Sequence, residues 1–481
     1  MNVGVAASVE RTLCVDLDGT LIRGDLLHES VFALLRTAPL AAFALPLQLR
    51  RGKAALKRAI AERVAVDAAN LPYNGELLAF VRAERAKGRR IALVTASDRA
   101  YADAVAAHLG LFDDVLGSDG SVNLRSHDKA AALAERYGER GFDYAGNSRD
   151  DIAVWDRAHT AFVVGDAPAA RRYADERGLA RMDGEAVRSR LRVWARTLRL
   201  HQWLKNVLLF VSLVLAGQVD HLPSWIATVT GFVAFGLTAS SVYVLNDLLD
   251  LESDRRHSRK RERPLAAGLV SVPHALAAAA LCLFGAALLA LTLPPLFALV
   301  LATYYAATLA YSFALKRKML VDVFVLAGLF TVRVIAGSVA IGAPVSAWLL
   351  AFAMFFFLSL ALVKRFVELA SEVAASDGKV AGRGYRPCDI EIVSQAGLAS
   401  GFAATVVLAL FIDAPSTEAS YNHPEAVWLL CPLVLYMVVR IWMLARRGEM
   451  NDDPVVFLMR DWRSLLVTAV GASILLVAKL A

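Results

Sequence analysis

Cysteine is scarce in this chain. Cys14, Cys282, Cys388 and Cys431 are its four cysteines in 481 residues, and no two stand at metal-ligand spacing. That excludes a thiolate metal centre and suits buried thiols in a reducing or membrane setting. The N-terminus, MNVGVAASVERTLCVDLDG, lacks the basic stretch and apolar run of a secretory leader, so the N-terminal region is expected in the cytoplasm. Before about residue 200, charged and apolar stretches alternate as in a soluble α/β protein. The formal charge of +7 invites a nucleic-acid reading. Many of the cations, however, stand between apolar runs, where membrane topology wants them, and no nucleic-acid partner is expected.

From Asn206 onward, apolar runs recur at the length needed to cross ~30 Å of hydrocarbon. The pattern predicts nine spans, at 204–217, 224–245, 273–292, 294–313, 319–341, 346–363, 394–413, 425–445 and 464–480. The loops after spans 2, 4, 6 and 8 carry 18 Lys and Arg, and those after spans 1, 3, 5 and 7 carry none. This asymmetry predicts a multi-pass protein of the inner (plasma) membrane, with the N-terminal domain cytoplasmic and the C-terminus outside. The expected organisation is a soluble domain over 1–180, a basic linker helix over 181–200 and a membrane domain over 201–481. In the linker, Val187, Leu191, Trp194 and Leu198 form one apolar stripe among arginines, a pattern suited to an anionic membrane surface or to a solvated linker.

The densest chemical signal in the membrane half is Asn246-Asp247-Leu-Leu-Asp250-Leu-Glu252-Ser-Asp254. Helical spacing stacks Asn246, Asp250 and Asp254 on one face, with Asp247 close by. Clustered carboxylates repel one another unless a cation lies between them. Hard oxygen ligands of this kind suit Mg²⁺ bridging to substrate phosphates. A solvated acidic helix end is the blander reading, but charge at the end of a membrane span is costly and usually functional.

NDxxDxxxD followed by Arg263-Pro264-Leu265-Ala266-Ala267-Gly268 resembles the first signature of the UbiA superfamily. The resemblance covers about residues 199–481. It implies an all-α membrane domain of nine transmembrane helices and a transferase in which Mg²⁺ on the acidic motif holds a leaving pyrophosphate. Usual members carry a second acidic motif, DxxxD, after span 6. Here that loop begins Lys364-Arg365-Phe-Val-Glu368, which suits an anionic substrate better than a second metal.

The sequences His201-Gln-Trp-Leu-Lys205-Asn206, Tyr311-Ser-Phe-Ala-Leu-Lys316 and LVKRFVEL are together similar to one branch of that superfamily, the decaprenyl-phosphate phosphoribosyltransferases. The branch implies 5-phosphoribosyl diphosphate as donor and a polyprenyl phosphate as acceptor. Lys205, Arg263, Lys316, Lys364, Arg365 and Glu368 are the candidate substrate-binding residues of the inner loops. Taken singly, each basic one reads more readily as a topology determinant. Asp322 and Arg333 join the candidates from span 5; three helical turns separate them by about 16 Å, so they cannot pair directly. Arg333 is deep enough to be expected on a cavity.

In the N-terminal half, Thr12-Leu-Cys-Val-Asp16-Leu-Asp18-Gly19-Thr20 is an apolar strand delivering two acids into a Gly-Thr turn. This resembles the first motif of the haloacid dehalogenase (HAD) family. Ile91-Ala-Leu-Val-Thr95, Lys129 at the start of a helix, and Tyr144-Ala-Gly146-Asn147-Ser148-Arg-Asp-Asp151 follow in that family's order. The resemblance covers about residues 10–175 and implies a Rossmann-like α/β phosphatase. Asp16 would be the nucleophile, Asp18 the general acid and base, and Thr95 and Lys129 the further catalytic residues. Asp16, Asp18, Asn147 and Asp151 would hold Mg²⁺. Asn147 stands where the family often has an aspartate, which lowers the expected metal affinity.

Residues 23–88 are expected to form a small helical cap. Ser30–Leu49 is apolar enough for a further span, but one crossing there would part Asp16 from Thr95. Three other readings stay open: a prenyl diphosphate donor with an aromatic acceptor, a transporter with a regulatory domain, and a HAD domain used only for docking. The oligomeric state is open too.

Overall fold

The computed structural model describes residues 11–42, 44–182, 190–375, 384–414, 421–450 and 454–480. The chain forms two compact units: Met1–Leu198 with Val244–Ala278, and Arg199–Tyr243 with Ala279–Ala481.

The first unit is built on a parallel six-stranded sheet. Its strands are β1 (Thr12–Asp16), β2 (Ile91–Asp98), β3 (Asp114–Ser118), β4 (Phe142–Gly146), β5 (Ala161–Val164) and β6 (Arg181–Met182). Their order is β3-β2-β1-β4-β5-β6, the doubly wound arrangement. Period-two alternation gives the central strand two buried faces. Leu13 and Val15 pack with Leu77, Val81 and Leu93 on one side, and Cys14 packs with Phe142, Tyr144 and Val163 on the other. In this topology ligands bind beyond the carboxyl ends of the strands, where the order reverses. β1 ends there in Asp16.

The cap differs from the expected 23–88. Helix Gly75–Ala86 places Leu77 and Val81 in the sheet's own core. The short helices Leu26–Thr37, Pro39–Ala42, Leu45–Arg50 and Lys53–Ala61 enclose a separate small core around Leu34, Ile60 and Val64. None of these helices is long enough to cross a membrane.

Segment Val244–Ala278 belongs to this unit. Helix Leu222–Leu249 ends within the acidic motif, and a short helix, Leu251–Arg256, follows Asp250. Helical hydrogen bonding persists through the break, from Asp250 N to Asn246 O at 2.9 Å and from Asp254 N to Asp250 O at 2.8 Å. The chain then turns through Gly268, held at φ +69° against Arg23, where any side chain would be strained.

The second unit is helical, and this is a multi-pass membrane protein. Among the described residues, eight helices are long and apolar enough to cross a membrane, and nine if the bent pair Arg190–Thr197 and Leu200–Leu215 counts as one span. The expected first span, 204–217, is broken into a 3-10 run, Leu200–Leu208, and a short α-helix, Leu209–Leu215. A 3-10 run that long marks a constrained segment. Part of the constraint is a close backbone approach: a Cβ on Gly337 would lie 2.1 Å from the Leu209 carbonyl oxygen. Val187 of the linker stripe, and part of the loop after span 6, lie outside the described residues.

Candidate functional site

At the end of β1, Asp16 is buried and both its oxygens are engaged. Lys129 Nζ donates to Oδ1 at 2.8 Å and Thr20 Oγ1 to Oδ2 at 3.0 Å. Asp18 accepts from Leu26 N at 2.8 Å and from the Thr95 hydroxyl at 3.1 Å. Thr95 therefore holds the second acid in place from the neighbouring strand. Burial raises the Asp16 carboxyl to about 7, with Lys129 opposing the shift, and burial raises Asp18 to about 6. Burial alone would lower Lys129, but the Asp16 and Asp151 carboxylates more than reverse it.

Asp151 is an organiser within this cluster. One of its oxygens accepts from Asn147 N, Ser148 N and Ser148 Oγ at 3.0, 2.9 and 2.8 Å. The other accepts from Tyr144 Oη at 2.8 Å and lies 3.5 Å from Lys129 Nζ. Asn147 stands over the turn after β1, close enough that a Cβ on Gly19 would lie 2.2 Å from its Nδ2. Tyr144 was not foreseen. Its hydroxyl bridges Lys129 and Asp151, both at 2.8 Å. The available signal was a buried tyrosine one strand-width from Asp16, which needs a partner for its hydroxyl.

The acidic motif lies in the same unit. Asp247 and Asp254 are buried, and Arg263 Nη1 donates to both, at 3.2 and 2.6 Å. Asp250 is partly exposed, 4.0 Å from Arg36. Asn246 is half-buried. Two cap carboxylates, also unforeseen, grip the cations that follow. Glu29 accepts both Nη groups of Arg255 at 2.7 and 2.8 Å, and Asp67 accepts Arg256 Nε at 2.9 Å.

In the second unit the candidate charges are distributed differently from the expectation. Arg365 is buried and donates to Asp322 and Glu368, and Tyr385 Oη donates to Asp322 at 2.7 Å. Residues 364–368, expected to open a loop, continue helix Ala347–Ala375, and its Arg365 guanidinium and the acid of span 5 neutralise each other inside the protein. Arg333 is buried too, bonded to Asn206 Oδ1 and Tyr304 Oη at 2.9 Å each. Lys205 is buried, its ammonium 5.9 Å from the Phe330 ring centre. Lys316 and Lys364 are half-buried.

Among the described residues no three His, Cys, Asp or Glu side chains form a group that could hold a metal ion by themselves. Mg²⁺ does not need such a cage, because it keeps several waters and takes one or two carboxylates plus substrate phosphates. Asp247 and Asp254, buried with one arginine between two carboxylates, fit that pattern. So do Asp16 and Asn147, which meet over the turn after β1.

A parallel α/β domain with a buried aspartate cluster at its strand ends, an acidic motif at a helix end and a polytopic helical domain together define a two-domain membrane enzyme. The chain belongs to the UbiA prenyltransferase family, whose model matches residues 207–465, and residues 13–155 match the haloacid dehalogenase-like hydrolase family. An uncharacterized protein, y4nM, of Sinorhizobium fredii is 41% identical over 97% of this chain and 90% of its own length. Decaprenyl-phosphate phosphoribosyltransferase of Mycobacterium tuberculosis is 39% identical over 36% of this chain and 59% of that protein. A UbiA homologue from Archaeoglobus fulgidus, solved with GPP and Mg²⁺, matches with TM-score 0.47 at 16% identity, over 60% of this chain and 99% of that one.

Proposed function

We propose that the membrane domain transfers 5-phosphoribose from phosphoribosyl diphosphate to a polyprenyl phosphate, and that the HAD domain removes a phosphate from the product. The observation that carries the donor assignment is the end of helix Ala347–Ala375, where the usual members have DxxxD. Lys364, Arg365 and Glu368 stand there instead, and Glu368 is paired with Arg365. The partial identity to the phosphoribosyltransferase supports the same branch.

On this reading Asn246, Asp247, Asp250 and Asp254 would hold Mg²⁺, which would supply charge neutralisation for the leaving pyrophosphate. Arg263 bridges Asp247 and Asp254 and offsets their mutual repulsion. Arg333, Lys205, Lys316 and Lys364 attract and orient the anionic substrates. Arg365, Asp322 and Glu368 serve the site by fixing the helices that carry it. An oxygen of the lipid phosphate attacks C1 of ribose, and pyrophosphate departs with the C1–O electron pair.

In the HAD domain the Asp16 carboxylate attacks phosphorus while Asp18 protonates the leaving alkoxide. Asp18 then takes a proton from the water that hydrolyses the aspartyl phosphate. Lys129 compensates charge on Asp16, Asp151 and Tyr144 hold Lys129 in place, and Thr95 orients Asp18. Asp16 and Asn147 would hold Mg²⁺ there, with Asp18 alongside and Asp151 bracing Asn147 through its backbone. The charge asymmetry of the loops supports a cytoplasmic N-terminal domain and an external C-terminus.

Incubating the purified protein with labelled phosphoribosyl diphosphate and polyprenyl phosphate tests the reading. Lipid-linked label is expected. Transfer from a prenyl diphosphate to an aromatic acid, with none from phosphoribosyl diphosphate, would replace the donor assignment.

A further inference from the structure

Cap helix Leu26–Thr37 runs between the two acidic clusters of the first unit. At its start the Leu26 N–H donates to Asp18 at 2.8 Å. Glu29, in the first turn, takes the Arg255 guanidinium at 2.7 and 2.8 Å. Arg36, in the last turn, lies 4.0 Å from Asp250. Glu29 and Arg36 are about two helical turns apart and so share one face. Ala33 lies between them on that face and lines the same gap as Leu251 and Arg255. The stripe Glu29, Ala33, Arg36 is therefore what the cap turns toward the segment carrying Asp250 and Asp254.

The two charged ends of the stripe are used differently. Glu29 is locked in a bidentate pair that is nearly dry. The Arg36 side chain is 35% exposed, and its nearest acid, Asp250, is beyond hydrogen-bond distance. Among the described residues its guanidinium makes no hydrogen bond, so its five N–H donors stand at the edge of the motif unclaimed by protein. A last-turn arginine also suits the helix dipole, but that role needs no acid across the gap. Asp247 and Asp254 already share Arg263. Asp250 instead faces a cation that is held near it and not bonded to it. A diphosphate carries more negative charge than one Mg²⁺ cancels, and a guanidinium fork matches its oxygens.

We propose that Arg36 is a ligand of the donor's diphosphate, lent by the phosphatase cap to the transferase motif. The proposal rests on the reading of that motif as a diphosphate site and holds whatever group the diphosphate carries. The cap then serves both reactions, with one end of a single helix at Asp18 and the other at Asp250.

The test is calorimetric binding of inorganic pyrophosphate to the full-length protein in saturating Mg²⁺, with Mg²⁺ binding measured separately. Arg36→Gln should weaken pyrophosphate about ten-fold or more, the scale of a lost charged hydrogen bond. Mg²⁺ alone should bind as tightly as before or tighter, because a cation has left the side of Asp250. Arg36→Lys should recover only part of the pyrophosphate affinity, since an ammonium keeps the charge and loses the fork. Unchanged pyrophosphate affinity in Arg36→Gln, or Mg²⁺ affinity falling in step with it, would overturn the proposal. If Arg36→Gln does not fold, Arg36→Lys decides, and wild-type pyrophosphate affinity there would overturn it. Pyrophosphate binding lost in Asp254→Ala but kept in Arg36→Gln would leave the motif reading standing alone. No Mg²⁺-dependent pyrophosphate binding by the wild-type protein would overturn both.

Discussion

Arg255 lays its guanidinium fork on Glu29, across 226 positions of sequence, with both terminal nitrogens donating to the carboxylate at 2.7 and 2.8 Å. Its third nitrogen donates to the Ala266 carbonyl at 3.0 Å, and the paired side chains are 8% and 11% exposed. A planar, bidentate, nearly dry pair suffers when one partner is removed, because the other charge is left buried. Arg255→Met and Glu29→Gln should each destabilise the first unit by about 3 kcal/mol, and the double variant should recover part of that loss. Thermal unfolding of the four proteins tests this; fully additive losses would show that the pair is not coupled.

The second expectation concerns pH. Asp16 and Asp18 have carboxyls raised to about 7 and about 6. Unfolded aspartates titrate near ~4. The protonated forms therefore favour folding, and stability from this pair is lost as pH rises from about 4 through about 7. At about 1.4 kcal/mol per pH unit, the cost of the ionised pair above neutrality is on the order of several kcal/mol. Mg²⁺ bound to the ionised pair should offset it. The thermal midpoint should rise more on adding Mg²⁺ at pH 8 than at pH 5, and Asp16→Asn should raise the metal-free midpoint at pH 8. Equal magnesium effects at both pH values would contradict this account.

Asp250→Ala and Asp254→Ala should each reduce lipid transfer at least about 100-fold without unfolding the protein, from loss of charge stabilisation at the departing pyrophosphate. Asp254→Ala also frees Arg263, whose Nη1 it holds at 2.6 Å. Near-normal turnover of either variant at saturating Mg²⁺ would remove the motif from the reaction.

Arg365 separates a structural role from a ligand role. It is 2% exposed and faces Asp322 at 0%. Arg365→Met should cost about 3–5 kcal/mol of stability, and Asp322→Leu in the same chain should restore part of it. If Arg365 instead grips a phosphate of the donor, the double variant would be stable but show a donor KM raised ten-fold or more.

Asp16→Asn should leave transfer intact and cause the 5-phosphorylated lipid to accumulate. Mass analysis of the lipid products decides this. The same phosphorylated lipid from wild-type and variant protein would mean that the HAD site acts on something else.

Both domain folds were legible because their signals are local. A strand ending in DxDGT and a helix end carrying NDxxDxxxD announce themselves within a dozen residues. What escaped was set by tertiary partners. Arg365 and Asp322 lie 43 residues apart on different helices, so neither spacing nor hydropathy revealed that they meet. The bonds from Ser148, Tyr144 and backbone donors to Asp151 are likewise a geometry that only the folded turn creates. Composition alone does not distinguish a straight first span from one that opens with the 3-10 run containing Lys205 and Asn206.

The first unit is assembled from two stretches of chain, Met1–Leu198 and Val244–Ala278, with a membrane segment between them in sequence. A fragment ending near residue 198 would look like a complete soluble phosphatase on paper. It would lack Arg255 and Arg256, stranding Glu29 and Asp67, and it would lose the Leu265–Val272 side of its own cavity. Excision should thus yield a domain with a wider mouth over Asp16 and two stranded carboxylates, so assays on the trimmed domain would report on a site that the intact chain does not have.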